Sequence, residues 1–282
     1  MGIFDKLPPA TKDDFLDSRT REWSQQKHLR LFQYADTFGT GIKNRFQHRV
    51  YIDLYSGAGK AIVEETGELV LGSPLLALSI RDPFTKYILC EQDEELADAL
   101  RNRCRREHPA ANVTVLTGDA GALVPAIIRE LPEDQNTLSF CFVDPYDLGF
   151  DFRTIAALAK RRRMDFLFLL AAQMDGQRNL LNYLRPENTK IDRLLDDSDW
   201  RARWEEAKKS TKGFQWFLVE RFTEAMNRAG YTRPRPEDFY KVETSDRGIP
   251  LYYLAFYSRH ELGYKFWRES LKYSTTQRDL FS

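Results

Sequence analysis

Tyr51–Lys60 reads YIDLYSGAGK. A β-branched and aromatic run, RVYIDLYS over Arg49–Ser56, has the composition of a strand and drops straight into Gly57-Ala58-Gly59, with Asp53 stranded inside it. Two glycines spaced by one residue let a backbone approach a ligand closely. A dinucleotide fingerprint would need Gly or Ala at position 62, where Ile62 stands, and a helix directly after it. A phosphate loop would need Ser or Thr after Gly59-Lys60, where Ala61 stands. KAIVEETGELV follows instead and reads as a loop or a small ribbon.

Outward from this stretch the chain alternates. GSPLLALSI reads as a helix with Pro in its first turn. KYILCEQD is a second strand before the helix EELADALRNRCRREH; NVTVLTGDA is a third before a helix through ALVPAIIREL. TLSFCFVDPY is a fourth before the helix FRTIAALAKR, and MDFLFLLAA a fifth. Regular β-α alternation with short connections predicts a mostly parallel sheet covered by helices on both faces. The strands are near-continuous apolar runs, as both-face burial requires. Upstream, residues 1–20 read as an irregular arm, and Arg19–Phe46 as one or two amphipathic helices. After Gln173 the rhythm breaks into a charged, largely helical stretch whose last part, Trp216–Ala229, is closed by Gly230. FYKVETS and LYYLAFYS then read as an antiparallel strand pair around DRGIP, before a C-terminal amphipathic helix. The expected organisation is an arm and helical cap (1–48), a cofactor-binding core (49–175), a helical insertion (176–232), and a strand pair with a helix (233–282) that belongs to the core.

Composition limits the function classes. With 282 residues, 42% of them hydrophobic, the chain can build a substantial core. Its 42 basic and 42 acidic residues cancel, so a nucleic-acid partner would have to be met by a local patch. The candidates are Arg101–Arg106 and Lys160–Arg163, which otherwise read as solvated helix ends. Cys90, Cys104 and Cys141 have neither metal spacing nor an even number, and the four histidines form no spaced pair. No apolar run reaches membrane-spanning length. MGIFDKLPPATKDDF is too polar for a secretory signal, and Lys6 stands where N-myristoylation needs Ser or Thr. The expectation is a soluble, reduced, cytoplasmic protein without metal or membrane, and nothing sets an oligomeric state.

In open sheets of this class ligands sit beyond the carboxyl ends of the strands, at the switch in strand order. At the first end stand Asp53 and Ser56-Gly57-Ala58-Gly59. At the second, Glu91 suits a ribose diol or, alternatively, caps a turn. At the third, Asp119 of Gly118-Asp119-Ala120 suits an adenine amino group or, equally, the N-cap of the next helix. The fourth is Asp144-Pro145-Tyr146, an acid leaving an apolar strand into Pro and an aromatic.

Gly-x-Gly, an acid, Gly-Asp and Asp-Pro-Tyr at successive strand ends resemble the arrangement of Rossmann-like class I methyltransferases that use S-adenosyl-L-methionine. That resemblance runs from Tyr51 to about Ala172 and implies an α/β fold with a terminal antiparallel strand. It implies that the bare turn approaches the amino-acid part of the cofactor, with Asp53 reaching the methionine ammonium directly or through water or, alternatively, standing as a buried acid. Asp144 would accept hydrogens from an exocyclic amine of a nucleic acid and Tyr146 would stack on the base; the plainer reading of Tyr146 is a core aromatic. Together with the opening Trp23-x-x-x-Lys27-His28 and the closing FYSRHELGYKFW, these motifs resemble the three-Cys-motif partner family, bacterial and phage-associated. The family often has Gly after Asp-Pro-Tyr, where this chain has Asp147. Lys27 and His28 read either as structural or as part of a helix covering the cofactor. Two functions follow from the resemblance: a methyltransferase, or a cofactor-binding partner module of a neighbouring three-cysteine radical-type enzyme or defence system.

Overall fold

The computed structural model describes residues 6–160, 163–171, 179–209, 213–244 and 250–272. The first five residues, part of the Lys160–Arg163 cluster, the 175/176 boundary, most of DRGIP and the C-terminal tail lie outside them. The elements in order are β1 (Ser18–Thr20), α1 (Ser24–Ile42), β2 (His48–Asp53), β3 (Lys60–Val63), β4 (Leu69–Leu71), α2 (Ser73–Leu78), β5 (Lys86–Glu91) and α3 (Glu94–Glu107). Then come β6 (Val113–Thr117), α4 (Val124–Glu130), β7 (Thr137–Val143), α5 (Phe152–Ala159), β8 (Arg163–Leu170), α6 (Leu180–Tyr183) and α7 (Lys190–Leu195). The last are α8 (Trp200–Ala207), α9 (Phe214–Arg228), β9 (Phe239–Glu243), β10 (Pro250–Tyr257) and α10 (Glu261–Lys272).

Seven strands form one sheet in the order β6-β5-β2-β7-β8-β10-β9. The pairs through β8 are parallel, whereas β10 runs antiparallel to both β8 and β9. The protein is therefore α/β and Rossmann-like, with a mostly parallel sheet and one reversed strand near its far edge. From β2 the chain first winds through β5 to β6, then returns to β7 and winds the other way. Right-handed crossovers put α2 and α3 on one face of the sheet and α5 on the other. The reversal leaves a crevice beyond the carboxyl ends of β2 and β7. Val50, Tyr51, Ile52 and Asp53 are all wholly buried, which explains why this strand lacks alternation.

Local chemistry sets the helix ends. Asp93 accepts from the Leu96 N–H at 3.0 Å, and α3 runs from Glu94-Glu95 to Arg105-Arg106, matching its dipole. α9 stops at Gly230 (φ +89°), where the Tyr231 N–H reaches the Met226 carbonyl. Between residues 179 and 232 the described residues form α6–α9 and contribute no strand; Trp204, Phe214 and Phe217 pack ring against ring there.

Two expectations need correction. The arm is not irregular throughout, because Ser18–Thr20 pairs parallel with Ala61–Val63, making β1-β3-β4 a second small sheet. Nor is Arg101–Arg106 a free basic patch. Arg103 is fully buried, donating to Asp13, Asp17 and the carbonyls of Phe15, Leu16 and Ala58. Buried Lys60 bonds Asp13, Glu107 and the Thr11 carbonyl, and Arg106 joins both acids. Three cations thus meet three acids, and the arm is strapped across the first glycine turn. Hydrogen bonding from Arg103 holds the Asp13 carboxyl far below the usual range, against the cost of burial.

Candidate active site

The parallel ladders continue beyond the strands and bring their ends together. The Ser56 N–H reaches the Cys90 carbonyl at 2.9 Å, Gly118 N–H the Glu91 carbonyl at 2.9 Å, and Leu54 N–H the Phe142 carbonyl at 3.2 Å. The glycine turn is bare for two reasons that its sequence does not separate. Gly57 (φ +60°) and Gly59 (φ +86°) both occupy the left-handed region. A Cβ at Gly57 would come within 2.9 Å of Ser18 Oγ, and one at Gly59 within 2.9 Å of Leu100 Cδ1 and 3.2 Å of Leu75 Cγ. The turn's N–H groups are also occupied. Gly57 donates to Glu91 Oε2 at 2.7 Å, and Ala58 donates to Ser18 Oγ at 2.9 Å. The arm and the second strand end, rather than a ligand, take these two donors.

A cavity of about 990 Å³ opens over the crevice. Ser56, Gly57, Gly59, Glu91, Asp144, Pro145, Tyr146 and Asp147 line it from the strand ends; Ser18, Trp23, Lys27 and His28 line it from the arm and α1. A smaller one of about 550 Å³ is lined by Asp119, Gly121, Val124, Phe150 and Arg193, and Tyr55 borders both. Of the expected residues, Asp53, Ala58, Gly118 and Ala120 line neither cavity. Asp53 is wholly buried, accepting from Tyr51 Oη at 2.9 Å and the Tyr55 N–H at 3.2 Å. Burial raises its carboxyl to about 6, opposed by hydrogen bonds from Ser73 and Tyr51. So placed, Asp53 braces the turn from beneath, held by donors on Tyr51, Tyr55 and Ser73.

At the fourth strand end Tyr146 is fully exposed, so the core-aromatic alternative for it does not hold. Asp144 is not a free carboxylate. Lys27 Nζ lies 2.6 Å from its Oδ2, with the two side chains only 10% and 15% exposed. Trp23, which packs on Tyr252 at 4.7 Å between ring centroids, sits under the same ammonium at 5.5 Å. Asp147 needs no glycine's freedom, since Asp196 is the one non-glycine with positive φ among the described residues. Its Oδ1 accepts the Gly149 N–H at 2.6 Å and its Oδ2 pairs with Lys190 of α7 at 2.5 Å, so the loop after Tyr146 is fastened to α7.

Ser18, Ser73 and Tyr252 carried no signal in the sequence. Lys27 and His28 did: two polar residues inside the buried part of an amphipathic helix, both under a tenth exposed.

No family model and no curated protein matches the chain. Solved structures with a similar arrangement include Trm1 from Pyrococcus horikoshii with S-adenosyl-L-methionine (TM-score 0.46, 10% identity, 89% of this chain and 58% of that one). They also include the O-methyltransferase from Bacillus cereus with SAH (0.45, 12%, 82% and 80%). TYW2 from M. jannaschii with AdoMet is a third (0.40, 10%, 86% and 78%). The chain thus spans less than two thirds of Trm1. Identities of this order leave ligand and reaction to be argued from the site.

Proposed function

We propose that the chain binds S-adenosyl-L-methionine beyond β2, β5 and β6 and transfers its methyl to an exocyclic amine of a nucleobase beyond β7. The observation that carries the reading is the pairing of Asp144 with exposed Tyr146 in the cavity that Glu91 also lines. The donor set suits the cofactor. Each Glu91 oxygen accepts one backbone N–H, from Gly57 and from Asp93, and keeps lone pairs for two adjacent hydroxyls. Asp119 spends one oxygen on the Ala122 N–H and has another for an adenine amine, beside the apolar Val124 and Phe150. Gly121 keeps that floor open, since a Cβ there would come within 3.2 Å of Asp119 Oδ1 and 3.3 Å of Thr154 Oγ1. When bound, S-adenosylmethionine supplies an electrophilic methyl on a sulfonium sulfur.

The chain's own work is positioning. Asp144 accepts an amine hydrogen through the oxygen Lys27 leaves free, holding the nitrogen lone pair toward the methyl. Tyr146 offers a face for the base, and exposed Arg19 at the cavity mouth suits a phosphate. A second reading has its own support: the Lys27–Asp144 pair neutralises the acid, which favours a cofactor-binding partner module. Membership of the three-Cys-motif partner family rests on the motif resemblance.

Tritium transfer from labelled S-adenosylmethionine into DNA, tRNA and protein fractions separates the two. The transferase predicts label in a nucleic-acid fraction that falls about 100-fold in Asp144→Ala, with affinity for S-adenosylhomocysteine unchanged. Tight binding of that product with no label anywhere turns the conclusion to the partner module.

A further inference from the structure

The stretch from Trp23 through α1 brings Trp23, Ser24, Lys27 and His28 to the larger cavity, a spacing that stacks them along one face. Lys27 is committed to Asp144. His28 is not committed: it is 7% exposed, lines the cavity, and has no side-chain hydrogen-bond partner among the described residues. Its ring nitrogens are not among the fully buried side-chain atoms that lack a partner, so they reach the cavity's solvent and can exchange that water for a group supplied from outside the chain. Burial, with the neighbouring Lys27 charge adding, lowers its pKa to about 3, so at neutral pH it is uncharged, with one ring nitrogen donating and the other accepting. An uncharged edge of that kind matches a base amine or a ring nitrogen. A lysine ammonium would meet the Lys27 cation as well, and is disfavoured.

We propose that His28 contacts the methyl acceptor directly, its imidazole hydrogen-bonding the polar edge of a nucleobase held by Asp144 and Tyr146. The proposal rests on the methyltransferase reading and deepens it: the acceptor is a neutral, planar heteroaromatic amine, selected partly by α1.

With only four histidines, the imidazole signals of isotope-labelled protein can be sorted by NMR, and His28→Gln identifies the one that matters. Saturating S-adenosylhomocysteine should leave the His28 signal in place. Millimolar adenosine or cytidine 5′-monophosphate should then move it, leaving His48, His108 and His260 unmoved. In tritium transfer to the fraction the wild type labels, His28→Gln should raise KM about tenfold, the equivalent of one lost hydrogen bond, with melting temperature and S-adenosylhomocysteine affinity unchanged. A His28 signal unmoved by both nucleotides, one moved equally by a lysine ester, or an unchanged KM overturns the proposal. If S-adenosylhomocysteine itself gives no binding heat, the methyltransferase reading fails first; if it binds while His28 stays silent, this inference alone is lost.

Discussion

Glu91 has two tasks that one substitution removes together. Its Oε2 pins the Gly57 N–H at 2.7 Å and its Oε1 the Asp93 N–H at 2.9 Å, and the lone pairs left over are those proposed for the ribose hydroxyls. Glu91→Ala therefore loosens the glycine turn and deletes a charged acceptor. A hydrogen bond to a charged group contributes about 1.5–3 kcal/mol, so S-adenosylhomocysteine should bind roughly 10- to 150-fold more weakly. Ser18→Ala supplies the control. It frees the neighbouring Ala58 N–H, pinned at 2.9 Å, on the same turn but removes nothing from the ribose. A neutral hydrogen bond is worth about 1 kcal/mol, so its effect on affinity should stay within about fivefold even if all of it is felt at the ligand. Isothermal titration calorimetry on both variants, beside thermal melts, separates the tasks. Wild-type affinity in Glu91→Ala, or equal losses in the two variants, would refute the assignment of Glu91 to the ligand.

Two further outcomes follow from the charged groups. Breaking the Lys27–Asp144 pair from one side strands a poorly hydrated charge, so urea unfolding should find Lys27→Met and Asp144→Asn each destabilised by about 2–3 kcal/mol and the double variant by clearly less than their sum; additive losses would mean the pair is not coupled. Asp165, buried and bonded by Tyr34 Oη at 3.3 Å, has its carboxyl raised by burial to about 7, opposed by hydrogen bonds from Ser258 and Tyr34. The fold therefore holds its proton where the unfolded chain has lost it, and this contribution to stability is present in full below about pH 4 and lost as pH rises to about 7. Asp165→Asn should gain on the wild type across that window, and parallel stability curves for the two would count against it.

The parallel core was legible because each of its strands is a self-contained apolar run and each turn carries its own punctuation. Gly230 announces the end of α9, while Asp93 and Asp151 cap α3 and α5 through bonds to residues two or three positions along the chain. What escaped was long-range. The three residues of β1 contain no apolar alternation and are strand only because Ala61–Val63 lies alongside. Arg103 reads like its exposed neighbours Arg105 and Arg106, and is set apart by acids some ninety residues upstream that no helix pattern encodes. Asp53 read ambiguously because an acid inside an apolar strand is consistent either with a ligand or with enclosure by local donors. In the fold Tyr51 and Tyr55, two positions away on either side, both donate to it.

The glycine turn illustrates why a motif at a strand end underdetermines its ligand. Gly57 is bare because Ser18 lies against it, and Gly59 because Leu75 and Leu100 do. Both glycines would be required even if nothing were bound. What the turn contributes to a site is therefore indirect: it lets the arm approach, the arm carries the chain into α1, and α1 delivers Lys27 to Asp144 and His28 to the cavity. The balanced cluster of Asp13, Asp17, Glu107, Lys60, Arg103 and Arg106 fastens that arm without leaving net charge beneath it. The side of the cavity proposed for the acceptor is thus built as much by the first thirty residues as by the strand ends, and chemistry proposed for Asp144 has to be read as the chemistry of Asp144 with Lys27.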